Sequence, residues 1–494
     1  MKQPNQMIGT VEREALSSQE PPGSFSIVVR LSALAALGFA GAVLYWQAAY
    51  LHSLKGGIAE YVIIFLLQFL LYLGACYLVT RDKGSLWSGG GRWSKVAALA
   101  IILLVAASVR AELVSQTPYL STDVYRYIWD GRVQASGINP YRYLPSDSEL
   151  AHLRDDDIYG HINRRDFAHT IYPPVAQGIF LGINLLSPSS VSAFKIAMSI
   201  FDLAAIVAIM LALQRSGLTP VYAIVYAWHP LPVWESAHSG HIESAAIAFV
   251  AAALLARSYG KPVLTGVALA FATLVKFYPA LLLPVFMFSD AAGAGERAER
   301  ESWLGRMRAI CLSRSNLRIA AGFVGTIVLA YLPYLTVGSR VTGYLEGYLR
   351  EEGLVDSGQR YFVLGVVHGV VNLPMVVYVA LAALGLAAFA LRGLLANKRS
   401  ATDVARIGAS MVGLFVLLTS PRFSWYLAWI IPFLCFVPRA GWLYLSGASV
   451  LLYLVWLTDE APGVPLWLGA ALYIPTLVLL AWEHVKRRNT TVSA

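Results

Sequence analysis

Charged residues are scarce in this chain. Asp, Glu, Lys and Arg make up only 14% of its 494 residues, whereas 57% are hydrophobic. Soluble globular proteins carry about 25% charged and 45–50% apolar residues. The scarcity of charge therefore excludes a soluble globular protein and indicates a polytopic membrane protein, whose helices, and not its length, set its organisation.

Cysteines are few, and the common nucleotide-binding motifs are absent. The spacing of the three cysteines, Cys76, Cys311 and Cys435, excludes a metal or redox motif. The sequence contains no P-loop, GxGxxG or HExxH pattern, which excludes a soluble nucleotide-binding module and a zinc protease. The net charge of +9 comes largely from basic residues in short loops between apolar runs, so it calls for no nucleic acid partner.

Long apolar runs fill most of the chain, and about 20 apolar residues are needed for one helical pass. Runs long enough to cross lie at 31–52, 58–80, 96–114, 191–213, 218–236, 240–257, 317–337, 373–392, 404–419, 440–457 and 464–484. We predict an all-α transmembrane bundle of about 12 to 14 spans. Residues 1–25 are polar and predict a disordered cytoplasmic tail, so that 26–494 form a single transmembrane domain.

Basic loops indicate which side of the membrane each polar segment occupies. The loops at 81–95, 297–318, 398–406 and 486–488 are expected in the cytoplasm, together with both chain ends. The opposite, outer side then receives the polar segments at 114–190, 228–242, 338–372 and 419–425. Within 114–190 we predict short interfacial helices, because the apolar part at 171–190 is too interrupted for a full pass.

The apolar segment 262–288 is also interrupted. Arg257 and the loop at 297–318 flank it and should both be cytoplasmic, so it must cross twice or not at all. Lys276 lies at its middle, and a lone lysine is costly there unless it faces water or a partner. Pro279 breaks the helix one turn later. We predict two half-length helices whose tip, near Lys276, reaches towards the outer side.

The segment STDVYRYIWDGRVQASGINPYRYLP, residues 121–145, carries the most informative carboxylate. Asp123 begins a predicted helix that ends near Ser136, and it shares a face with Tyr127 and Asp130. The helix dipole favours its anion, and an ionised carboxylate suits a general base that activates a hydroxyl group. The alternative is that Asp123 is only an N-cap. Asp130, between two arginines, is more typical of a local ion pair.

Several cations on the outer side suit phosphate recognition. Paired arginines, Arg164 and Arg165, match phosphate oxygens in fork geometry. Lys276 and Arg422 are cations at membrane depth, although Arg422 also fits a snorkelling arginine. The run at 155–157, three aspartates, can attract a divalent cation such as Mg²⁺ or Mn²⁺, but its polar surroundings favour a solvated loop, so the sequence establishes no cofactor.

The turn HPLPVWESAHSGHIES, residues 229–244, is unusually polar between two apolar runs. His241 is placed to act on a phosphate leaving group, and the alternative is a hydrogen-bonded pair with His238 at a helix turn. The rings suited to sugar binding and the polar residues that frame them form a candidate substrate-binding set: Tyr127, Trp129, Asp130, Arg132, Tyr172, Glu235 and Tyr426.

These segments, with TIYPP at 170–174, LVKFYPALLLP at 274–284 and SPRFSWYLAWIIPF at 420–433, resemble the GT-C superfamily of integral-membrane glycosyltransferases. The chain is most similar to bacterial polyprenol-phosphate-mannose-dependent mannosyltransferases. The resemblance implies an acidic catalytic base in the first large external loop, which matches Asp123. The family pattern NPL–E–GH–D is not fully kept, since His229 replaces its Asn and Glu243 its Asp.

The resemblance further implies an inverting transfer of a hexose, with mannose as the expected sugar, from a polyprenyl-phosphate donor to a glycolipid or polysaccharide acceptor. It places the protein in the bacterial inner membrane, among membrane lipids, with the site facing the periplasm or exterior. Lys276, Arg422, His241, Arg164 and Arg165 are then the candidate donor-phosphate ligands. A transporter or flippase of lipid-linked saccharides and a membrane acyltransferase remain the alternatives.

Overall fold

The computed structural model describes residues 24–48, 54–81, 91–288, 302–351, 361–396, 398, 400–457 and 464–492. Residues 1–23 of the predicted tail lie outside the described residues. All regular elements in the described ranges are helical, which confirms the predicted all-α class. The physical reason is that a segment in lipid must satisfy its backbone hydrogen bonds internally, and a helix does so within one segment.

The α-helices are numbered here in chain order. Those of the first half are α1 Ser24–Ala48, α2 Leu54–Thr80, α3 Arg92–Val114, α4 Asp123–Ala135, α5 Pro174–Leu186, α6 Val191–Arg215, α7 Ile224–Ala227, α8 Pro230–Val233 and α9 Glu243–Ser258. Those of the second half are α10 Pro262–Thr273, α11 Leu283–Phe286, α12 Trp303–Cys311, α13 Arg314–Tyr331, α14 Leu345–Glu351, α15 Phe362–His368, α16 Met375–Leu395, α17 Ala401–Thr419, α18 Ile431–Leu434, α19 Ala440–Ala448 and α20 Leu466–Val492.

Within the described ranges, eight helical stretches are long and apolar enough to cross a membrane. They contain α1, α2, α3, α6, α13, α16, α17 and α20. Large apolar side chains on their outer faces are exposed, as with Phe39 at 72%, Val376 at 74% and Leu384 at 66%. Such faces would be costly in water and are expected to contact lipid acyl chains. Shorter apolar helices, α5 and α10 among them, lie beside these stretches.

The prediction that 218–236 crosses as one helix is wrong. This stretch is divided into a 3₁₀ turn at Pro220–Ala223, then α7, α8 and a π turn at Trp234–His238. Pro230 and Pro232 account for part of the division, because proline lacks an N–H donor and clashes with the preceding turn. The stretch from 223 to 247 is nevertheless buried throughout.

Buried polar side chains hold this divided stretch in place. Asp202 of α6 pairs with Arg110 of α3 at 2.5 Å. Its carboxylate also accepts hydrogen bonds from the hydroxyl groups of Tyr226 and, at 3.3 Å, Ser236. Arg110 donates to the carbonyl of Ala227 at 3.1 Å. A backbone that leaves regular helix inside the bundle therefore finds partners among its neighbours, as burial requires.

The predicted interruption of 262–288 is confirmed. α10 ends at Thr273, a 3₁₀ turn occupies Tyr278–Leu282, and α11 follows. Lys276 lies in the connection between the two helical pieces, and the carbonyl of Leu274 accepts hydrogen bonds from the first backbone N–H groups of α5 at 3.1 Å. The interruption therefore brings the lysine against the segment that follows the 114–170 loop.

Candidate active site

Asp123 is the first residue of α4. Thr122 occupies the N-cap position, and no side chain caps the helix. The backbone N–H of Asp123 donates to the Ser121 hydroxyl at 3.2 Å. The alternative interpretation of Asp123 as an N-cap is therefore wrong. Its carboxylate is 27% exposed and does not cap the helix.

α4 lies unusually close to α5, and a glycine makes this approach sterically allowed. A Cβ atom added at Gly131 would lie 2.5 Å from the carbonyl oxygen of Phe180. The helix ends as predicted, since Gly137 has a φ of +76°, which favours glycine. Gly131 thus allows α4, which begins at Asp123, to pack closely on α5.

Glu235 and His241 lie behind Asp123. The His241 Nδ1 atom is 2.8 Å from Glu235 Oε2, and its Nε2 atom is 4.0 Å from Asp123 Oδ2. The other Glu235 oxygen accepts hydrogen bonds from the hydroxyl groups of Ser424 and Tyr453, each at 3.0 Å. With its carboxylate held by three donors, Glu235 orients the imidazole ring towards Asp123.

Lys276 and its partner Glu243 form the second part of a charged cluster, whose first part is Asp123, His241 and Glu235. The ammonium group of Lys276 lies 2.8 Å from Glu243 Oε1. It also lies over two aromatic rings, 5.4 Å from the centroid of Tyr172 and 5.7 Å from that of Tyr426. The lysine is thus at depth but partnered, as the cost of an isolated buried charge requires.

The carboxylates and the cations of this cluster interact electrostatically. Burial lowers the pKa of His241, but the carboxylates of Glu235, Glu243 and Asp123 outweigh it, so that this pKa is raised. The ammonium of Lys276 is paired with the Glu243 carboxylate at 2.8 Å, which offsets the cost of burying either charge. Both groups therefore favour their cationic forms, and the cluster combines three carboxylates with two cations.

The segment after α13 closes one side of the cluster. Arg164 is 2.5 Å from Glu351 of α14, and the field of Asp123 also acts on it. The hydroxyl groups of Tyr348 and Tyr426 lie 2.6 Å apart. Arg164 has a φ of +57°, a left-handed conformation that is uncommon for a residue other than glycine and is typical of functional sites.

Arg422 reaches the cluster through stacked rings. Its guanidinium lies 5.0 Å from the centroid of Phe423, and that ring stacks on Trp425 at 4.4 Å. The Trp425 ring in turn lies 4.3 Å from that of His241. The structure therefore brings together Asp123, His241, Glu235, Lys276, Tyr172 and Tyr426, with Arg164 and Arg422 at the edges.

Three other candidates have their contacts within the 114–190 segment. Trp129 is 1% exposed and packs on Tyr159, over which Arg165 also lies at 4.9 Å. Arg132 is 2.6 Å from Asp155. These contacts stabilise the loop, and nothing described joins these side chains to the cluster around Asp123.

Asp130 and Tyr127 of α4 hold the segment that contains Tyr172 in place. Asp130 pairs with Arg126 at 2.9 Å, which confirms the predicted ion pair, and it accepts a hydrogen bond from Thr170. Tyr127 is fully buried, stacks on Phe180 and meets the edge of the Tyr172 ring at 4.9 Å. Tyr172 is thereby held under Lys276.

The aspartate run does not form a cation cage in the structure. Asp155 pairs with Arg132 and accepts hydrogen bonds from the backbone N–H groups of Ile158 and Tyr159. In the part of the chain that the structure describes, no group of three or more His, Cys, Asp or Glu side chains is arranged to hold a metal ion.

Sequence reasoning missed several members of the site. The motif identifies Glu243 only as a departure from the family pattern and not as the partner of Lys276, although a carboxylate two residues after His241 in an apolar run is a signal. Tyr348, Glu351 and Tyr453 gave no local signal, because they reach the cluster from distant parts of the chain.

Two family models match the chain. One, described as Glycosyltransferase family 87, matches residues 170–421. The other, described as Alpha-(1->6)-mannopyranosyltransferase, N-terminal domain, matches residues 25–292. Each match spans slightly more than half of the chain, and the second contains both Asp123 and Lys276. Comparison with curated proteins and with solved structures gives no match.

Proposed function

The chain belongs to glycosyltransferase family 87, and we propose that it moves a mannosyl residue from a polyprenyl-phosphate carrier to a hydroxyl group of a glycolipid or polysaccharide acceptor. It is a multi-pass membrane glycosyltransferase of the mannosyltransferase type. The donor, the acceptor and the face of the membrane are our proposals. We also propose the α-(1→6) linkage that the description of the second family states.

One observation carries the assignment of the base. Of the three carboxylates in the cluster, the side chain of Asp123 is 27% exposed, whereas those of Glu235 and Glu243 are 3% and 2% exposed. The two buried carboxylates are engaged by His241 and Lys276. Glu351, at the edge of the site, is also 27% exposed, but Arg164 engages its carboxylate at 2.5 Å. Asp123 is accessible and lies 4.0 Å from His241, so we propose that it accepts the proton of the acceptor hydroxyl.

The proposed reaction is a single in-line displacement. The acceptor oxygen forms a bond to C1 of the sugar, while its proton passes to the Asp123 carboxylate. The bond between C1 and the phosphate oxygen breaks, and its electron pair leaves with the polyprenyl phosphate. Lys276 and the imidazolium of His241 offset the charge that develops on that phosphate. A β-linked donor then gives an α-linked product.

We expect the purified full-length protein to transfer radiolabelled mannose from synthetic polyprenyl-phosphate mannose to a mannosylated glycolipid. The labelled sugar should be released by an α-mannosidase and resist a β-mannosidase, because a single displacement inverts the anomeric centre. Addition of EDTA tests whether Mg²⁺ or Mn²⁺ is needed. Absence of transfer from every lipid phosphosugar tried would favour a transporter.

The proposed orientation has its own test. Asp166, with 72% of its side chain exposed, lies in the 114–190 segment that we place outside. In a Cys311→Ser background, Asp166→Cys should react with a membrane-impermeant maleimide in intact spheroplasts. The exposed Arg308 of α12 provides the control, since Arg308→Cys should react only after permeabilisation. The reverse pattern would place the active site in the cytoplasm.

A further inference from the structure

A polar cavity lies at the other end of the bundle from Asp123. It has a volume of about 160 Å³ and lies between α17, α19 and α20. α17 begins beside this cavity and ends at Thr419, just before Ser424, which donates to Glu235. At 1.5 Å per residue, Arg406 in the cavity wall is about 20 Å from Thr419. The cavity is therefore separate from the candidate active site.

Guanidinium groups are concentrated at this cavity. Arg406 and Arg439 line it together with His484. Burial and the nearby Arg487 lower the pKa of Arg439, and Arg406 adds to the same effect. Three like charges are thus close enough to repel one another, which a bound anion would relieve.

Two neighbouring carboxylates offset part of this charge, and each also accepts a hydrogen bond at the start of a helix. Asp403 accepts hydrogen bonds from the backbone N–H and hydroxyl groups of Ser400 in a capping box, and lies 3.0 Å from Arg406. Glu483 accepts a hydrogen bond from the backbone N–H of Ala440 at 2.8 Å and lies 3.4 Å from Arg439. A guanidinium has five N–H donors, so each ion pair uses only part of them.

Most of the remaining wall is apolar. Ala409, Val437, Trp442 and Leu480 line it together with Ser410. Trp482, two residues after Leu480 on α20, is 57% exposed, and the ammonium of Lys486 lies 5.0 Å from the centroid of its ring. Exposed tryptophan beside basic residues is typical of the interface between acyl chains and water.

We propose that this cavity binds the phosphate of an anionic phospholipid, with Arg406 and Arg439 donating to its oxygens and the Trp442 side packing on its apolar part. Basic pockets between transmembrane helices are suited to such head groups. The cavity volume is far above the ~10–15 Å³ that holds one water molecule. Free phosphate shares the recognised chemistry, and the test below separates the two sources.

The test measures thermal unfolding of the delipidated full-length protein during titration with dioleoyl phosphatidylglycerol, dioleoyl phosphatidylcholine or inorganic phosphate. We expect phosphatidylglycerol to raise the midpoint of unfolding and phosphatidylcholine to leave it nearly unchanged. Arg406→Gln should weaken the apparent affinity for phosphatidylglycerol about tenfold, since charge-assisted hydrogen bonds are lost. Arg439→Lys keeps a partner for Glu483 but loses the planar fork, and should also weaken binding.

Arg308→Gln, which removes an exposed arginine outside the cavity, is the matched control and should bind phosphatidylglycerol as the unmodified protein does. An equal loss in Arg308→Gln and Arg406→Gln would overturn the proposal, because a diffuse surface charge would then explain binding. So would equal shifts with both lipids and none with phosphate. Protection by inorganic phosphate that depends on Arg406 would support the phosphate site and identify its ligand as the free anion.

Discussion

Asp123→Asn is expected to abolish mannosyl transfer while leaving the protein folded. The amide keeps the shape of the carboxylate but cannot accept the proton of the acceptor hydroxyl group. General-base catalysis contributes about 10²–10⁴-fold to a rate, so activity should fall by at least that factor. The midpoint of thermal unfolding should stay near its original value, because the described contact of this carboxylate is the one to His241 Nε2 at 4.0 Å.

The matched control is Asp166→Asn, which removes an exposed carboxylate from the same segment and should leave transfer unchanged. Both variants should be measured with the same lipid donor, at saturating and at low acceptor concentration. Normal turnover in Asp123→Asn would refute the assignment of the base. A loss of activity in both variants would show that the segment responds to charge in general.

Lys276→Met is expected to lose activity and stability together. The ammonium group is the cation that we place on the donor phosphate, and loss of one such charge-stabilising donor typically costs about 10²–10³-fold in rate. The change also leaves the Glu243 carboxylate, 2% exposed, without its partner. Breaking a buried ion pair costs about 3–5 kcal/mol, which should appear as a clear drop in the midpoint of thermal unfolding.

A double variant separates the two effects. Lys276→Met with Glu243→Gln removes the unpaired buried charge and should recover most of the stability, but it should not recover transfer. Lys261→Met, at the exposed other end of α10, is the control and should change neither quantity. Recovery of transfer in the double variant would show that Lys276 only neutralises Glu243 and does not act on the donor.

Much of the architecture could be predicted from local patterns. Apolar runs near the length of a bilayer predict spans, and the lysine and proline at 276 and 279 predicted the interruption between α10 and α11. The helix that begins at Asp123 followed from a polar run that ends in Gly137. The prediction that 218–236 crosses as one helix was wrong. Average hydropathy does not register that Pro230 and Pro232 interrupt a helix, or that nearby polar side chains can satisfy the interrupted backbone.

The sequence by itself determined the class of the protein and the interruption near Lys276, since both follow from residues close together in the chain. Its resemblance to a known family pointed to Asp123 as the candidate base. Only the tertiary structure decided which charges meet. Glu235 is held by Ser424 and Tyr453, and Lys276 by Glu243, because helices distant in sequence pack side by side. A buried charge without a partner is costly, so Glu235 and Glu243 are each paired, whereas Asp123 stays accessible. No local sequence pattern shows which partners meet.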